Sequence, residues 1–282
     1  MDNKKIFVGS LAALSIIVIV LILMAPGIGK LPTDTEVAVI PIRGSIAPGA
    51  IEASPEEVQD NIEEAKKEGA QGFLFRINSP GGTVVASRQL ENVIDEVDEF
   101  TVCQFQDYAT SGAYWAGSAC DKIVADPLTM TGGIGVVASY LEYSEFMEEH
   151  GIEYQRLTEG DLKDMGSPYR NLTNEERVIF EDMLNETHTH FVKTVKENRN
   201  LDEETKKEVS RGQPILGKDA KDLGLVDYLG GRKVSERILQ NFFNNTISFK
   251  EYSEKQDLLD ILLNSKNKES LKKELSRSTE VK

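Results

Sequence analysis

A serine lies where a predicted strand gives way to a predicted helix. The run Thr101–Phe105 is apolar and β-branched, and small and aromatic residues follow Ser111 at helical spacing. At such a junction several backbone N–H groups have no partner within the helix, and the helix dipole favours negative charge. The Ser111 hydroxyl could therefore attack a carbonyl while the free amides stabilise the resulting oxyanion. The alternative is that Ser111, or Thr110 before it, only caps the helix.

Two further polar segments could supply the other parts of such a site. The turn Ser79–Gly82 follows a predicted strand, and its two glycines let the backbone bring an amide close to a ligand. The loop Asp161–Arg170 carries Lys163 among apolar side chains. A lysine can act as the base for a serine when it is held in its neutral form. An ordinary turn and a solvated surface lysine are the respective alternatives.

The three histidines give a Ser-His-Asp triad little support. His150 ends a charged helical stretch, and His188 and His190 are two positions apart, so they do not share a helix face. That spacing also differs from the i, i+4 pair of a helical metal site. The sequence has no G-x-S-x-G motif. We therefore predict no metal and no cofactor. A lysine base is the other known solution for a serine nucleophile, and it requires burial that lowers the pKa of the amine.

The composition and net charge limit the classes of protein and of partner that the sequence fits. The 282 residues are 40% hydrophobic and 28% charged, which suits one large folded domain with appendages. The net charge of -15 argues against a nucleic-acid partner and against contact of the folded body with an anionic membrane face. Cys103 and Cys120 lack metal-ligand spacing. We expect two buried free thiols; a pairing outside the cell is the alternative.

An apolar run near the N-terminus predicts a membrane anchor. Ile6–Ala25 contains no charge and is long enough to cross a bilayer, while Lys4 and Lys5 before it favour a cytoplasmic N-terminus. We predict an uncleaved signal anchor, with a cleaved signal peptide as the alternative. The chain then divides into an anchor at 1–30, a linker at 31–35, a folded domain at 36–252 and an amphipathic patch with a charged tail at 253–282.

Strand and helix patterns alternate through the folded domain. This alternation predicts an α/β sheet with parallel crossovers. Capping signals at Ser54 and Thr173 each predict the start of a helix. Strands are predicted over Glu36–Ile42, Gly72–Asn78, Thr101–Phe105, Lys122–Ala125 and Ile152–Leu157, and helices from Ser54 to Glu68, Val84 to Glu99, Ser111 to near Cys120, and Thr173 to about Asn198.

Taken together, five motifs resemble the signal peptide peptidase A family, whose members have the Clp-protease/crotonase fold of repeated ββα units. Their order and spacing carry the resemblance over nearly all of the folded domain. The motifs are RINSPGG (Arg76–Gly82), YATSGAYWAGSACDKIVADP (Tyr108–Pro127), LTMTGGIGV (Leu128–Val136), GDLKDMGSPYR (Gly160–Arg170) and GQPILGKDAKDLGLVDYLGG (Gly212–Gly231).

The resemblance implies a Ser-Lys serine peptidase. Ser111 falls on the family's nucleophile and Lys163 on its general base, and the backbone amides of Gly82 and Gly112 would form the oxyanion hole. The implied substrates are apolar peptides such as cleaved signal peptides, hydrolysed without a cofactor at the outer face of the cytoplasmic membrane. Family members form homo-oligomers in which neighbouring subunits can contribute site residues.

One departure from the family concerns the lysine. Many members carry a serine that hydrogen-bonds the lysine amine, and Gly133 occupies that position here. Thr129, Thr131 or a water could replace it.

Two other functions stay open: a crotonase-like acyl-CoA enzyme, and a non-catalytic membrane scaffold of the same fold.

Overall fold

A computed structural model describes residues 35–253 of the chain. The predicted anchor and the C-terminal amphipathic patch lie outside these residues. Within 35–253, no helix combines the length and the apolar character needed to cross a bilayer.

Within the described residues, eight strands form a single sheet: β1 Thr35–Arg43, β2 Gly72–Ser79, β3 Phe100–Thr110, β4 Lys122–Ala125, β5 Met130–Gly132, β6 Pro214–Leu216, β7 Tyr228–Leu229 and β8 Ile247–Glu251. Their order is β6-β5-β3-β2-β1-β8; β4 also pairs with β3, and β7 pairs with β4. All pairs are parallel except β5 with β6. The predicted α/β class with parallel crossovers is confirmed.

Eight helices accompany the sheet within the described residues, and the capped ones begin where the sequence indicates. The Ser54 hydroxyl accepts a hydrogen bond from the Glu57 N–H, and Thr173 forms a reciprocal capping box with Glu176. The helices are α1 Pro55–Glu68, α2 Val84–Asp95, α3 Gly112–Gly117, α4 Ser144–Glu149, α5 Asn174–Arg199, α6 Glu203–Val209, α7 Gly217–Asp222 and α8 Arg232–Phe243.

Apolar residues cover both faces of the sheet. On β2, Phe73, Phe75 and Ile77 belong to the larger core, and Leu74 belongs to a smaller core that includes Leu239 of α8. Since successive side chains of a strand point to opposite faces, a strand buried on both sides reads as a continuous apolar run. This explains the apolar run Phe73–Phe75. Further along β2, Arg76 and Asn78 are only half-buried, so the polar residues begin where burial becomes one-sided.

The long strand β3 changes partner along its length. Val102–Phe105 pairs with β4, and Tyr108–Thr110 pairs with β5. The sheet therefore opens between β4 and β5, and the end of β3 extends past the end of β4. Ligands of parallel α/β sheets bind outside the carboxyl ends of strands at such divisions. Ser111 follows β3 directly at this point.

Three local predictions differ from the structure. Ile152–Leu157 is irregular rather than a strand, and every one of its residues is exposed. β-propensity reflects how side chains pack on a half-buried sheet surface. This segment has no such surface to pack against. The second helix ends at Asp95 rather than Glu99, and the helix after Ser111 ends at Gly117 rather than near Cys120.

The expectation of free thiols was wrong, because Cys103 and Cys120 form a disulfide with their Cα atoms 5.8 Å apart. Cys103 lies on β3 and Cys120 in the turn after α3, and both belong to the same buried core. The chain leaves β3, forms α3 and returns toward β4, and this return brings Cys120 next to Cys103. Sequence spacing alone does not show which face of a strand a cysteine occupies.

Candidate active site

Ser111 lies in a strained turn between β3 and α3. Its backbone has φ 55° and ψ −126°, a conformation that residues with a Cβ rarely adopt. Two hydrogen bonds hold it: the Ser111 N–H donates to the Gly132 carbonyl at 2.8 Å, and its carbonyl accepts from Trp115 at 2.9 Å. Strained backbone of this kind clusters at active sites, and a sharp strand-to-helix turn presents the nucleophile of many hydrolases.

Two backbone amides lie beside this serine. In the described residues, neither the Gly82 nor the Gly112 N–H is donated to another protein atom. The Gly82 nitrogen is 3.3 Å from the position that a Cβ on Gly112 would take, so the two amides are neighbours. The Gly81 carbonyl accepts from Ile46, and Ser79 Oγ accepts from the Gly81 N–H, which fixes the turn. This pair suits the oxyanion of a tetrahedral intermediate.

Steric contacts require glycine at both positions. A Cβ on Gly82 would lie 1.8 Å from the Ile46 carbonyl oxygen, and one on Gly112 would lie 2.0 Å from Ser87 Oγ. Ser87 is buried, so neither neighbour can move aside easily. The absence of side chains is what lets the two loops approach closely enough to present both amides.

A cavity of about 660 Å³ opens beside Ser111. It is formed by the end of β3, the segment after β5, the middle of α5 and the segment before β6. Besides Ser111, its lining includes Thr110, Met130, Gly133, Val137, His188 and Arg211. Its size suits a few residues of a peptide.

Lys163 is not among the residues that line this cavity. Its side chain is exposed in the long segment between β5 and α5. The structure thus brings together Ser111, Gly82 and Gly112 of the predicted site, and leaves the predicted base of the same chain outside the cavity.

The loop that carries Lys163 is fixed by ion pairs. Asp164 binds Arg156 at 2.7 Å and Arg170 at 2.9 Å, and Arg170 also binds Glu176 at 2.5 Å. The hydrogen bonds from Arg170 lower the pKa of Asp164 to about 2 and that of Glu176 to about 2. Because Glu176 also closes the capping box of α5, the loop is tied to the start of that helix.

Gly133 lies next to Ser111. Its φ is +65°, and a Cβ there would be 3.3 Å from the Ser111 nitrogen. The hydroxyls of the two threonines that could replace a serine at this position already donate hydrogen bonds to carbonyls of β3. Thr129 Oγ1 donates to the Gln106 carbonyl at 2.6 Å, and Thr131 Oγ1 donates to the Ala109 carbonyl at 2.7 Å.

The three histidines have separate surroundings. His188 lines the Ser111 cavity, His190 packs against Trp115, and His150 Nδ1 contacts the Phe146 carbonyl. Sequence reasoning missed His188, because its place depends on how α5 packs. In residues 35–253, no group of three His, Cys, Asp or Glu side chains lies close enough to hold a metal ion.

A family model described as "Peptidase family S49" matches residues 101–240. Three relatives carry protease names. "Putative protease MJ0651" of Methanocaldococcus jannaschii is 35% identical over 66% of this chain and 60% of its own length. "Putative protease slr0021" of Synechocystis sp. is 34% identical over 71% of this chain and 72% of its own. "Putative signal peptide peptidase SppA" of Enterococcus faecium is 33% identical over 57% of this chain, and the match spans 47% of its length.

A solved structure has a similar fold. It is a mutant of the "1510-N membrane-bound stomatin-specific protease", which superposes with a TM-score of 0.51 over 78% of this chain and 99% of its own. The sequence identity is 11%, so the likeness concerns the fold alone.

Proposed function

Since this chain belongs to peptidase family S49, we propose that it is a serine endopeptidase with Ser111 as its nucleophile. The observation that carries the proposal is the strained turn at Ser111 beside the unpartnered amides of Gly82 and Gly112. A hydroxyl and two convergent N–H donors are the parts that acyl transfer needs. The alternation of strands and helices supports assignment to the ββα units of the Clp-protease/crotonase fold.

The mechanism follows from these parts. A neutral lysine amine takes the proton of Ser111 Oγ as the oxygen attacks the scissile carbonyl. The oxyanion accepts hydrogen bonds from the Gly82 and Gly112 amides. The protonated amine then gives its proton to the leaving nitrogen, the scissile C–N bond breaks, and the acyl group remains on Ser111 Oγ as an ester. A water activated by the same amine hydrolyses the ester and regenerates Ser111.

We propose that the base is Lys163 of a second copy of this chain. Lys163 is outside the cavity of its own chain, and the ion pairs of Asp164 and Arg170 fix its loop in that position. Lys163 itself makes no side-chain hydrogen bond or ion pair with any described residue. A fixed loop with a free amine can project the base into a neighbour's site.

The segment 136–172 supports an assembly of identical copies. It exposes many large apolar side chains, among them Val137 (85%), Leu141 (69%), Phe146 (57%) and Leu157 (96%). Apolar exposure of this density is unusual for a monomer and typical of an interface. Since Lys163 lies in the same segment, burying it against a neighbour would also desolvate the base.

His188 offers a second candidate for the base. It lines the cavity of its own chain with Ser111 and is half-buried. We favour Lys163 because the family resemblance implies a lysine base at that position and because no acidic side chain in the described residues orients His188. A His188→Gln variant that keeps peptidase activity would exclude the histidine.

We propose that the substrates are apolar peptides such as cleaved signal peptides, and that Ile6–Ala25 anchors the protein with its catalytic domain outside the cytoplasmic membrane. The disulfide between Cys103 and Cys120 supports an oxidising compartment. The name of the Enterococcus relative supports the substrate class. No cofactor is proposed.

Complementation between two inactive variants tests this function. Ser111→Ala and Lys163→Ala are each expected to abolish cleavage of an apolar reporter peptide. When the two are co-expressed with different tags and purified as mixed oligomers, roughly a quarter of the sites would pair an intact serine with an intact lysine by random neighbour choice. Activity should return to about that level.

Two results would contradict the proposal. Activity in Ser111→Ala would show that Ser111 is not the nucleophile. Mixed oligomers without activity would show that the base does not come from a neighbour. Mixtures of Ser111→Ala with itself under two tags serve as the control for contaminating peptidases.

A further inference from the structure

We propose that Arg211 makes the Ser111 cavity a binding site for a substrate carboxylate. The inference rests on the proposed function, since it concerns what the same cavity binds. It narrows the substrate to peptides that carry a carboxylate within a few residues of the scissile bond.

The charge of the cavity lining differs from that of the whole chain. The chain has 47 Asp and Glu against 32 Lys and Arg. Of the described residues that line the cavity, none is Asp or Glu, whereas Arg211 and His188 both lie in its wall. In residues 35–253, the Arg211 guanidinium has no acidic partner. Arg211 is exposed and shares the lining of the cavity with Ser111. An unpaired guanidinium there is suited to a bidentate contact with a carboxylate.

The backbone near Arg211 is tied to the nucleophile by a short chain of contacts. The Ser111 N–H binds the Gly132 carbonyl at 2.8 Å, and the Gly133 N–H binds the Gln213 carbonyl at 3.1 Å. Gly135 and Gly212 touch, since a Cβ on Gly135 would lie 3.1 Å from the Gly212 Cα. The backbone directly after Arg211 is therefore held by the segment that follows the hydrogen-bond partner of Ser111.

A peptide's own C-terminus is the carboxylate source that we favour. A cavity of about 660 Å³ holds only a few residues. A peptide that ends inside it would place its terminal carboxylate at the wall with Arg211, while its scissile carbonyl lies at Ser111. Peptides already released by another endopeptidase have such ends, whereas internal segments of intact proteins do not.

Binding to the full-length Ser111→Ala protein tests the carboxylate site without requiring catalysis. Fluorescence anisotropy would compare one apolar reporter peptide as a free acid, as a C-terminal amide, and as an amide with Asp or Asn near its end. The free acid should bind about tenfold more tightly than the amide, the scale of a charge-assisted hydrogen bond. Adding Arg211→Gln should bring this ratio to about one, whereas the exposed control Arg237→Gln should keep it.

The outcomes separate this inference from the proposed function. Equal binding of acid and amide, or a ratio unchanged by Arg211→Gln, overturns the carboxylate site whatever the enzyme activity. Tight binding of the Asp amide supports the site and assigns the carboxylate to a side chain. A protein that prefers the acid but never cleaves it keeps the site and contradicts the peptidase.

Discussion

Ser111 donates its backbone N–H to the Gly132 carbonyl at 2.8 Å, which ties the strained turn at Ser111 to strand β5. The next residue, Gly133, is consequently adjacent to Ser111. One hydrogen bond thus fixes the backbone at Ser111 and keeps Gly133 beside it.

Relief of strain at Ser111 should stabilise the fold. Glycine adopts φ 55° and ψ −126° at less cost than alanine, so Ser111→Gly should melt above Ser111→Ala. We expect a difference of about 1 kcal/mol, or roughly 2–4 °C for a domain of this size. Thermal unfolding followed by circular dichroism measures it. A glycine variant that melts at or below the alanine variant would show that the turn is not strained.

A serine at position 133 should restore a partner for the lysine. A Cβ at this position has room, since its nearest neighbour is the Ser111 nitrogen at 3.3 Å. At φ +65°, Gly133→Ser and Gly133→Ala carry the same backbone strain, of roughly 1 kcal/mol. Because only serine supplies a hydroxyl, its kcat/KM at neutral pH should exceed that of the alanine variant. Equal values for the two variants would exclude a hydroxyl contact with the base.

The Asp164–Arg170–Glu176 cluster should make stability depend on pH. The pKa values of Asp164 and Glu176 are both lowered to about 2 by Arg170, so their stabilisation is full above the unfolded pKa values of 3.8 and 4.5. It is lost as the pH falls toward 2. The stability deficit of Arg170→Gln against wild type should therefore be largest above pH 5 and shrink toward pH 2.

Urea unfolding at several pH values measures this deficit. The exposed neighbour Arg177 provides a matched control, since Arg177→Gln removes the same charge without touching the cluster. A deficit of Arg170→Gln that stays constant down to pH 2 would show that the ion pairs do not stabilise the folded state.

The disulfide should contribute measurably to stability. It closes a sequence separation of 17 residues, for which about 2–4 kcal/mol is typical. Reductant should lower the melting temperature of the wild-type protein and leave the double variant Cys103→Ala/Cys120→Ala unchanged. Thiol titration of the denatured, unreduced protein should find no free thiol. Two titratable thiols in that experiment would contradict the pairing.

Local sequence patterns were enough to locate Ser111 and the glycine turn of the candidate site. Ser111 follows a strand and precedes a helix, and Gly81–Gly82 lies in the turn after another strand, so each lies at an identifiable junction. The parallel sheet then brings both junctions to the same edge. The sheet itself was predictable for the same reason, because the strands alternate with capped helices.

The remaining features depend on contacts between distant segments. His188 and Arg211 reach the cavity only because α5 and the segment before β6 return to β5 from far along the chain. The pairing of Cys103 with Cys120 depends on which face of β3 carries Cys103. It also depends on whether the turn after α3 covers that same face. The strand predicted at Ile152–Leu157 failed because β-branched and aromatic residues there meet no sheet surface.

Active-site labelling tests the central claim most directly. Full-length protein treated with a fluorophosphonate probe, digested and mapped by mass spectrometry should carry the label on Ser111, and Ser111→Ala should carry none. An acyl-CoA enzyme or a scaffold of the same fold would leave the probe unreacted. Absence of label from Ser111 in folded wild-type protein, or label on a different serine, would contradict the account.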